Sequence, residues 1–161
     1  MKKSLLTAEY KKQINEAAAR ELLVSNTYKQ FSNCMEGVGY FGSAKFFKSE
    51  SSDELEHYQI WADYANDRGD ILDVLAVPAI TTKPKTIKEA FTAYYELELN
   101  LGKFYNDLYE NCDDAPMLQQ LLTFVEIQRK SVGEALDFLA TLDLCGDDRS
   151  ALLLFDKELN G

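Results

Sequence analysis

Glu54 and His57 form a Glu-x-x-His motif that contains the only histidine of the chain. Residues three positions apart lie on the same face of a helix, so both side chains can reach one metal ion. A carboxylate oxygen and a neutral imidazole nitrogen suit ferrous iron or another borderline divalent metal. Glu21, Glu98 and Gln128 hold the equivalent position in three other segments. These five residues are the candidate metal ligands.

Each candidate ligand lies within an apolar stripe with heptad spacing. The four stripes are Ile14/Glu21/Tyr28/Met35, Phe47/Glu54/Trp61, Phe91/Glu98/Tyr105/Cys112 and Leu121/Gln128/Ala135/Leu142. A stripe of this kind faces a helical core, where an isolated carboxylate costs several kcal/mol. Three carboxylates, one imidazole and one amide fit such a core if cations lie among them. The pattern therefore predicts a two-metal site inside a four-helix bundle.

The two halves of the predicted site differ in strength. Carboxylate sites in such bundles take Glu from two helices and a Glu-x-x-His motif from each of the other two. Here Gln128 and Ser131 replace the second motif, and Gln supplies a neutral, weaker oxygen. The stronger subsite is expected to contain Glu21, Glu54 and His57, and the weaker one Glu54, Glu98 and Gln128. Glu54 would then bridge the two metals.

The composition is that of a globular protein with an acidic surface. Of 161 residues, 46% are hydrophobic and 27% are charged, and the net charge is −10. A chain of this length can bury a substantial core, so residues 1–161 are expected to form one domain. A nucleic-acid-binding surface needs clustered Lys and Arg, whereas an acidic field attracts cations. We therefore expect no nucleic-acid partner.

The chain lacks the patterns of export and membrane insertion. Residues 1–12 contain a single pair of adjacent leucines, too little for the apolar region of a signal peptide. No segment approaches the ~18 consecutive apolar residues of a transmembrane helix. Cys34, Cys112 and Cys145 form no Cys-x-x-Cys pair, so reduced thiols are expected. These features predict a cytoplasmic protein without a membrane partner.

Capping signals predict two long helices in the first half of the chain. The first is expected to begin at Ser4 or Thr7 and to run to about residue 35. Glycines at positions 37, 39 and 42 are expected to form the turn that follows. The second helix should span about 43–67 and end at Arg68 and Gly69, a cation and a helix-ending glycine.

Three helices are expected in the second half. Thr86 and Glu89 form a capping box for the third helix, which should end near residue 111. Asp114 and Pro116 begin the fourth, which should run to about residue 144, and the short fifth should span 149–159. Because residues 70–85 read as extended, they can cross the length of a bundle. This predicts an all-α four-helix bundle with a long crossover between helices 2 and 3 and a short fifth C-terminal helix.

Taken together, these segments resemble the non-haem ferritins over essentially the whole chain. The resemblance is carried by residues 14–28, 52–57, Glu98, 124–128 and 154–159. It implies a ferritin-like diiron domain that assembles into a hollow 24-subunit shell, oxidises Fe(II) with dioxygen and stores the ferric mineral. It also implies that the five candidate ligands hold two irons per subunit at a ferroxidase site, with Tyr28 beside them.

Some positions depart from related families. The residue after Glu54 is Leu55, whereas bacterioferritins have a haem-binding methionine there, so no haem is expected. At the third iron site of many bacterial ferritins this chain keeps Asp53 but has Ile127, Lys130 and Ser131. The acids that usually line the three-fold entry channel would fall at Leu118 and Leu121, which leaves the iron entrance unassigned.

Three other residues have two interpretations each. Asp53 and Glu56 point away from the ligand stripe, and they are either mineral-nucleating acids on the cavity wall or solvated surface acids. Tyr28 lies two turns from Glu21 and is either a partner of the metal site, able to supply an electron or a hydrogen bond, or a core aromatic. Trp61, Tyr105 and Phe91 are interpreted as packing residues.

Three other hypotheses compete with a ferroxidase ferritin. The first is a helical bundle or storage subunit without catalysis, against which the intact set of five ligands argues. The second is another diiron enzyme, such as a rubrerythrin-type peroxidase. Such enzymes carry the second Glu-x-x-His motif and often a Cys-rich iron module, and this sequence has neither. A miniature DNA-protecting ferritin fits poorly, because proteins of that class lack the last helix that this sequence predicts.

Overall fold

The computed structural model describes residues 2–159, and every regular element in that range is an α-helix. The elements are α1 (Ala8–Val38), α2 (Phe41–Asp67), α3 (Ile87–Glu110), α4 (Ala115–Cys145) and α5 (Arg149–Glu158). Residues 68–86 join α2 to α3 without regular structure. The all-helical prediction is confirmed, including the long connection and the short last helix.

Polar caps fix where most helices begin. Thr7 accepts a hydrogen bond from the amide of Tyr10, which identifies it, rather than Ser4, as the cap of α1. Asp114 accepts from the Met117 amide at the start of α4. Asp148 caps α5 by accepting from the amides of the second and third residues of that helix.

The predicted capping box of α3 forms only in part. Thr86 accepts a hydrogen bond from the Glu89 amide, as expected. The Glu89 carboxylate, however, accepts from the amide of Lys85 at 2.7 Å, one residue before the position that the motif predicts. The first bond satisfies a backbone donor that the first turn leaves without a helical partner, and the second holds the residue that precedes the cap.

One glycine, rather than three, makes the turn between α1 and α2. Gly37 belongs to α1 and Gly42 to α2, whereas Gly39 adopts a φ of 89°. A residue in this left-handed region ends a helix at little cost only if it is glycine. At the other end of α2, Gly69 has a φ of 75°, and a Cβ there would clash with the backbone carbonyl of Lys3.

The described residues group into two compact units. The first contains residues 2–32 and 47–83, so it holds most of α1 and α2. These two helices run antiparallel, because Ser25 bonds to Ser51 while Leu5, near the start of the chain, bonds to Arg68. Lys11 and Asp70 form an ion pair at 3.0 Å that ties the start of the α2–α3 connection to α1.

The second unit contains residues 33–46 and 84–159, and α3 and α4 run antiparallel within it. Gln128 bonds to Glu98, and the rings of Tyr105 and Phe124 stack at 4.8 Å. At the other end, aromatic rings from α2, α3, α4 and α5 pack around Phe91; three of them meet it edge to face, and that of Phe46 is tilted by 32°. These rings are Phe46, Tyr94, Phe138 and Phe155.

A buried carboxylate attaches α5 to the beginning of α2. Asp156 accepts hydrogen bonds from the amides of Gly42 and Ser43, at 2.9 and 2.6 Å, and from the Ser43 hydroxyl at 2.6 Å. The negative charge also lies at the positive end of the α2 dipole. Asp156 thus caps the start of α2, although it lies 114 residues after Gly42 in the sequence.

The heptad stripes are buried as predicted, with one exception. All members of the four stripes are at most 3% exposed except Cys112, which is half-buried and follows the end of α3. Among residues 2–159, no helix combines the length and hydropathy that a bilayer span requires.

Candidate metal centre

Glu21, Glu54 and His57 meet in the first unit. The Nδ1 atom of His57 lies 3.0 Å from Oε2 of Glu54 and 3.6 Å from Oε2 of Glu21. One ligand atom from each of the three side chains lies within 4.8 Å of the other two. α1 and α2 thus bring these three side chains together, and their role as metal ligands stays a prediction.

The register of α1 against α2 beside this cluster depends on two serines. Ser25, one turn after Glu21, donates from its hydroxyl to the carbonyl of Ser51 at 2.8 Å. The two hydroxyls are also hydrogen-bonded at 3.0 Å, and both serines are buried. Because Ser51 lies one turn before Glu54, this bond holds the carboxylates of the two helices opposite each other. The sequence did not predict this contact, because serine is common at exposed and at buried positions alike.

Burial changes the proton affinity of both residues of the Glu-x-x-His motif. Removal from water is the main cause that raises the pKa of Glu54 to about 8, and the neighbouring Glu21 raises it further. Burial lowers the pKa of His57, but hydrogen bonds to Glu21 and Glu54 outweigh it and raise the pKa to about 10. Both shifts favour the protonated form of the side chain, so a divalent cation that binds here must displace protons.

The cluster has the donor chemistry of a transition-metal site. For bond lengths of about 2.0–2.2 Å, as zinc has with N and O ligands, neighbouring donors lie roughly 3–4 Å apart. The distances from His57 to Glu54 and Glu21 fall in this range. Two carboxylates and one imidazole together suit iron, manganese or zinc better than calcium or magnesium, which prefer oxygen ligands alone.

Glu98 and Gln128 meet in the second unit. The amide nitrogen of Gln128 donates to Oε2 of Glu98 at 2.7 Å and to the Glu98 backbone carbonyl at 3.3 Å. The other amide atom, Oε1 of Gln128, is buried and has no hydrogen-bond partner among the described residues. A buried carbonyl oxygen without a partner costs about 1–3 kcal/mol, and a bound cation would remove that cost. The pair therefore fits the predicted role of metal ligands.

Tyr28 and Trp61 are both fully buried in the first unit. The Tyr28 ring lies 6.1 Å from that of Phe31 and 6.0 Å from that of Phe47. Trp61 meets Tyr64 edge to face at 6.0 Å, in agreement with its interpretation as a packing residue. Tyr28 is part of an aromatic core, and its predicted role beside a metal stays a prediction.

The positions next to the ligands are mostly exposed. Asp53 and Glu56 are exposed, and so is Leu55, whose side chain is 41% accessible. On α4, Lys130 extends to Glu126 at 3.8 Å, and Glu126 binds Arg129 more closely, at 2.8 Å.

Comparison with known proteins identifies the class of this helical bundle. Residues 11–145 match the model of the ferritin-like domain. A probable bacterial non-heme ferritin-like protein of Haemophilus influenzae is 27% identical over 158 residues, which is 96% of each chain. Soma ferritin of Lymnaea stagnalis is 31% identical over 94% of this chain and 90% of its own.

Solved structures give the same result. An open pore ferritin from the hyperthermophilic archaeon Archaeoglobus fulgidus is 25% identical, with a TM-score of 0.94 over 98% of both chains. An engineered closed form of the Archaeoglobus fulgidus ferritin has a TM-score of 0.93 over 96% of each chain. The fold is thus the ferritin-like four-helix bundle with a short C-terminal helix. The chain belongs to the ferritin-like domain family, among the non-haem ferritins, and this membership supports iron storage as its general function.

Proposed function

We propose that this ferritin oxidises Fe(II) to Fe(III) with dioxygen and stores the ferric product in a shell built from copies of the chain. The observation that carries the proposal is the buried cluster of Glu21, Glu54 and His57, with donor distances of 3.0 and 3.6 Å. Such a cluster is costly in a protein without metal, because the Glu54 carboxylate is buried and its pKa is raised to about 8.

Iron is the substrate of this proposed site. One Fe(II) would be held by Glu21, Glu54 and His57, and the second by Glu98 and Gln128 with Glu54 shared. Two Fe(II) ions each lose one electron, and with two protons these electrons convert one dioxygen to hydrogen peroxide. The neutral Gln128 oxygen makes the second position the weaker of the two. Such an asymmetry favours departure of the oxidised iron toward the store.

The shell is supported by the surface of α5. Leu153 and Leu154 are 55% and 57% exposed, while Leu152 and Phe155 on the other side of the helix are buried. Contact with other copies would cover these leucines. The similar Archaeoglobus fulgidus proteins are described as an open pore ferritin and as an engineered closed form. A 24-subunit shell in the cytoplasm is the arrangement that we propose.

The number and position of the irons test this assignment. Crystals soaked anaerobically with Fe(II) and measured at the iron absorption edge should show two irons per subunit, the weaker one at Glu98 and Gln128. Because protons compete for Glu54 and His57, occupancy should be lower at about pH 6 than at about pH 8. A well-occupied third iron that contacts Asp53 and α4 would show that the assignment is wrong, as would the absence of iron at His57.

A further inference from the structure

A groove of about 320 Å³ lies between α3 and α4 and extends to Gln128. Its aliphatic walls come from Leu99, Val125 and Val132, which are all half-buried. Gln128 itself is only 2% exposed, and its Oε1 atom is the buried oxygen without a hydrogen-bond partner. The groove thus connects solvent to the side chain that we propose as a ligand of the second iron.

Gly102 keeps this groove open. It lies within α3 and lines the groove, and a Cβ at this position would lie 3.6 Å from the Cβ of Gln128. A methyl group would therefore just contact Gln128, and a longer side chain would occupy the space of the groove. Glycine in a helix interior is less stable than alanine, so an open groove is a reason to have it here.

The charges of the groove do not suit a cation. Its charged lining residues are Lys103, which is exposed, and Arg129, whose guanidinium makes two hydrogen bonds to Glu126 at 2.9 and 2.8 Å. None of the described residues that line it is acidic. Lysine and arginine repel Fe(II), and aliphatic walls offer it no ligands. A small neutral molecule meets neither obstacle.

We infer that this groove admits the neutral oxidant, dioxygen or hydrogen peroxide, to the Gln128 side of the iron site, by a route separate from that of Fe(II). The inference rests on the proposed ferroxidase function. Two Fe(II) ions give up two electrons, which with two protons convert dioxygen to hydrogen peroxide, or hydrogen peroxide to two waters. Both oxidants are small, uncharged and able to enter the same groove.

Filling the groove tests this route. Gly102→Leu should raise the apparent KM for dioxygen by about tenfold, within the one to three decades over which association rates vary among variants. The maximal rate at saturating dioxygen and the anaerobic binding of Co(II) should stay unchanged. Gly133→Leu is the matched control, because Gly133 is an exposed α4 residue with open space around it. Gly102→Ala, which only reaches contact distance, should change KM in the same direction by less, and it serves if the leucine variant does not fold.

The outcomes separate this route from the function on which it rests. A parent protein that does not oxidise Fe(II) contradicts the proposed function. If the parent oxidises Fe(II) but Gly102→Leu and Gly133→Leu have the same oxidation rate at limiting dioxygen, the proposed route is wrong and the proposed function stands. A change in the dependence on Fe(II) instead of oxygen would also contradict the route. Anaerobic assays with hydrogen peroxide show whether that oxidant uses the groove. If Gly102→Leu slows Fe(II) oxidation by dioxygen but not by hydrogen peroxide, the groove is a route for dioxygen only.

Discussion

Replacing His57 with alanine should slow the fast phase of Fe(II) oxidation by more than about 100-fold. Loss of a residue that merely orients a metal ligand typically costs 10- to 100-fold, and His57 is proposed as a ligand itself. It is also the only imidazole of the chain, so no neighbouring side chain can supply an equivalent nitrogen. Stopped-flow absorbance of the ferric product would measure the change.

Two further variants separate loss of metal from loss of fold. Gln59→Ala removes an exposed side chain of α2 that bonds to Asp63 at 2.8 Å, away from the ligand cluster, and it should oxidise Fe(II) like the parent. Glu54→Gln should lose the fast phase yet raise the free energy of unfolding of the metal-free protein. An oxidation rate in the His57 variant equal to that of Gln59→Ala would show that the ligand assignment is wrong.

The sign of the Glu54→Gln effect follows from the raised pKa of Glu54. The pKa is about 8 in the folded protein against 4.5 in the unfolded chain, so the folded state binds the proton more tightly. The stability that this proton contributes is complete below pH 4.5 and is lost as the pH rises through 8. Glutamine resembles the protonated acid, and the variant should gain about 1–3 kcal/mol near pH 7. A thermal or denaturant unfolding series between about pH 5 and pH 8 would show the gain growing with pH.

Replacing Asp156 with alanine should destabilise the protein by about 3–5 kcal/mol, the cost of removing one partner from a buried charged contact. The substitution leaves two amides and a hydroxyl at the start of α2 without their acceptor, and Ser43 there is fully buried. Denaturant unfolding of the metal-free protein is the measurement. Asp147→Ala provides the control, because the Asp147 side chain is fully exposed and its ion pair with Lys88, at 3.2 Å, lies at the surface. Its effect should stay within about 0.5 kcal/mol.

The same contact should matter for assembly. If α5 leaves its place, the exposed Leu153 and Leu154 no longer have a fixed position from which to contact other copies. Truncation after Gly146 should therefore weaken the shell, and Asp156→Ala should do so to a smaller degree. Size-exclusion chromatography would show smaller species for both variants. A parent that elutes as a monomer at micromolar concentration would contradict the proposed shell.

Local patterns in the sequence were sufficient for the helices and for the ligand stripes. Apolar spacing and the caps Thr7, Thr86 and Asp114 determine the helix starts because each acts within one turn of chain. The same spacing placed Glu21, Glu54 and His57 on facing stripes, and the structure confirms that they meet. A ligand stripe is predictable because the helical period and the burial requirement act together.

Features that depend on distant pairs could not be predicted in this way. The acceptor at Asp156 lies 114 residues from the Gly42 amide that it caps, and nothing in either local sequence indicates the other. The role of Gly102 could not be predicted, because glycine occurs within helices for several reasons. The groove that it lines forms only when α3 packs beside α4. The turn after α1 was predicted with three glycines, since sequence cannot tell that Gly39 alone satisfies its geometry.

The central claim is that the chain oxidises Fe(II) at a site for two irons, and one measurement tests it most directly. Fe(II) is added in air to the purified parent at increasing ratios, while ferric absorbance and dioxygen consumption are recorded together. We expect a fast phase that saturates at two Fe(II) per subunit and consumes one dioxygen for every two irons. Oxidation no faster than that of Fe(II) in protein-free buffer, or a fast phase without saturation, would contradict the claim.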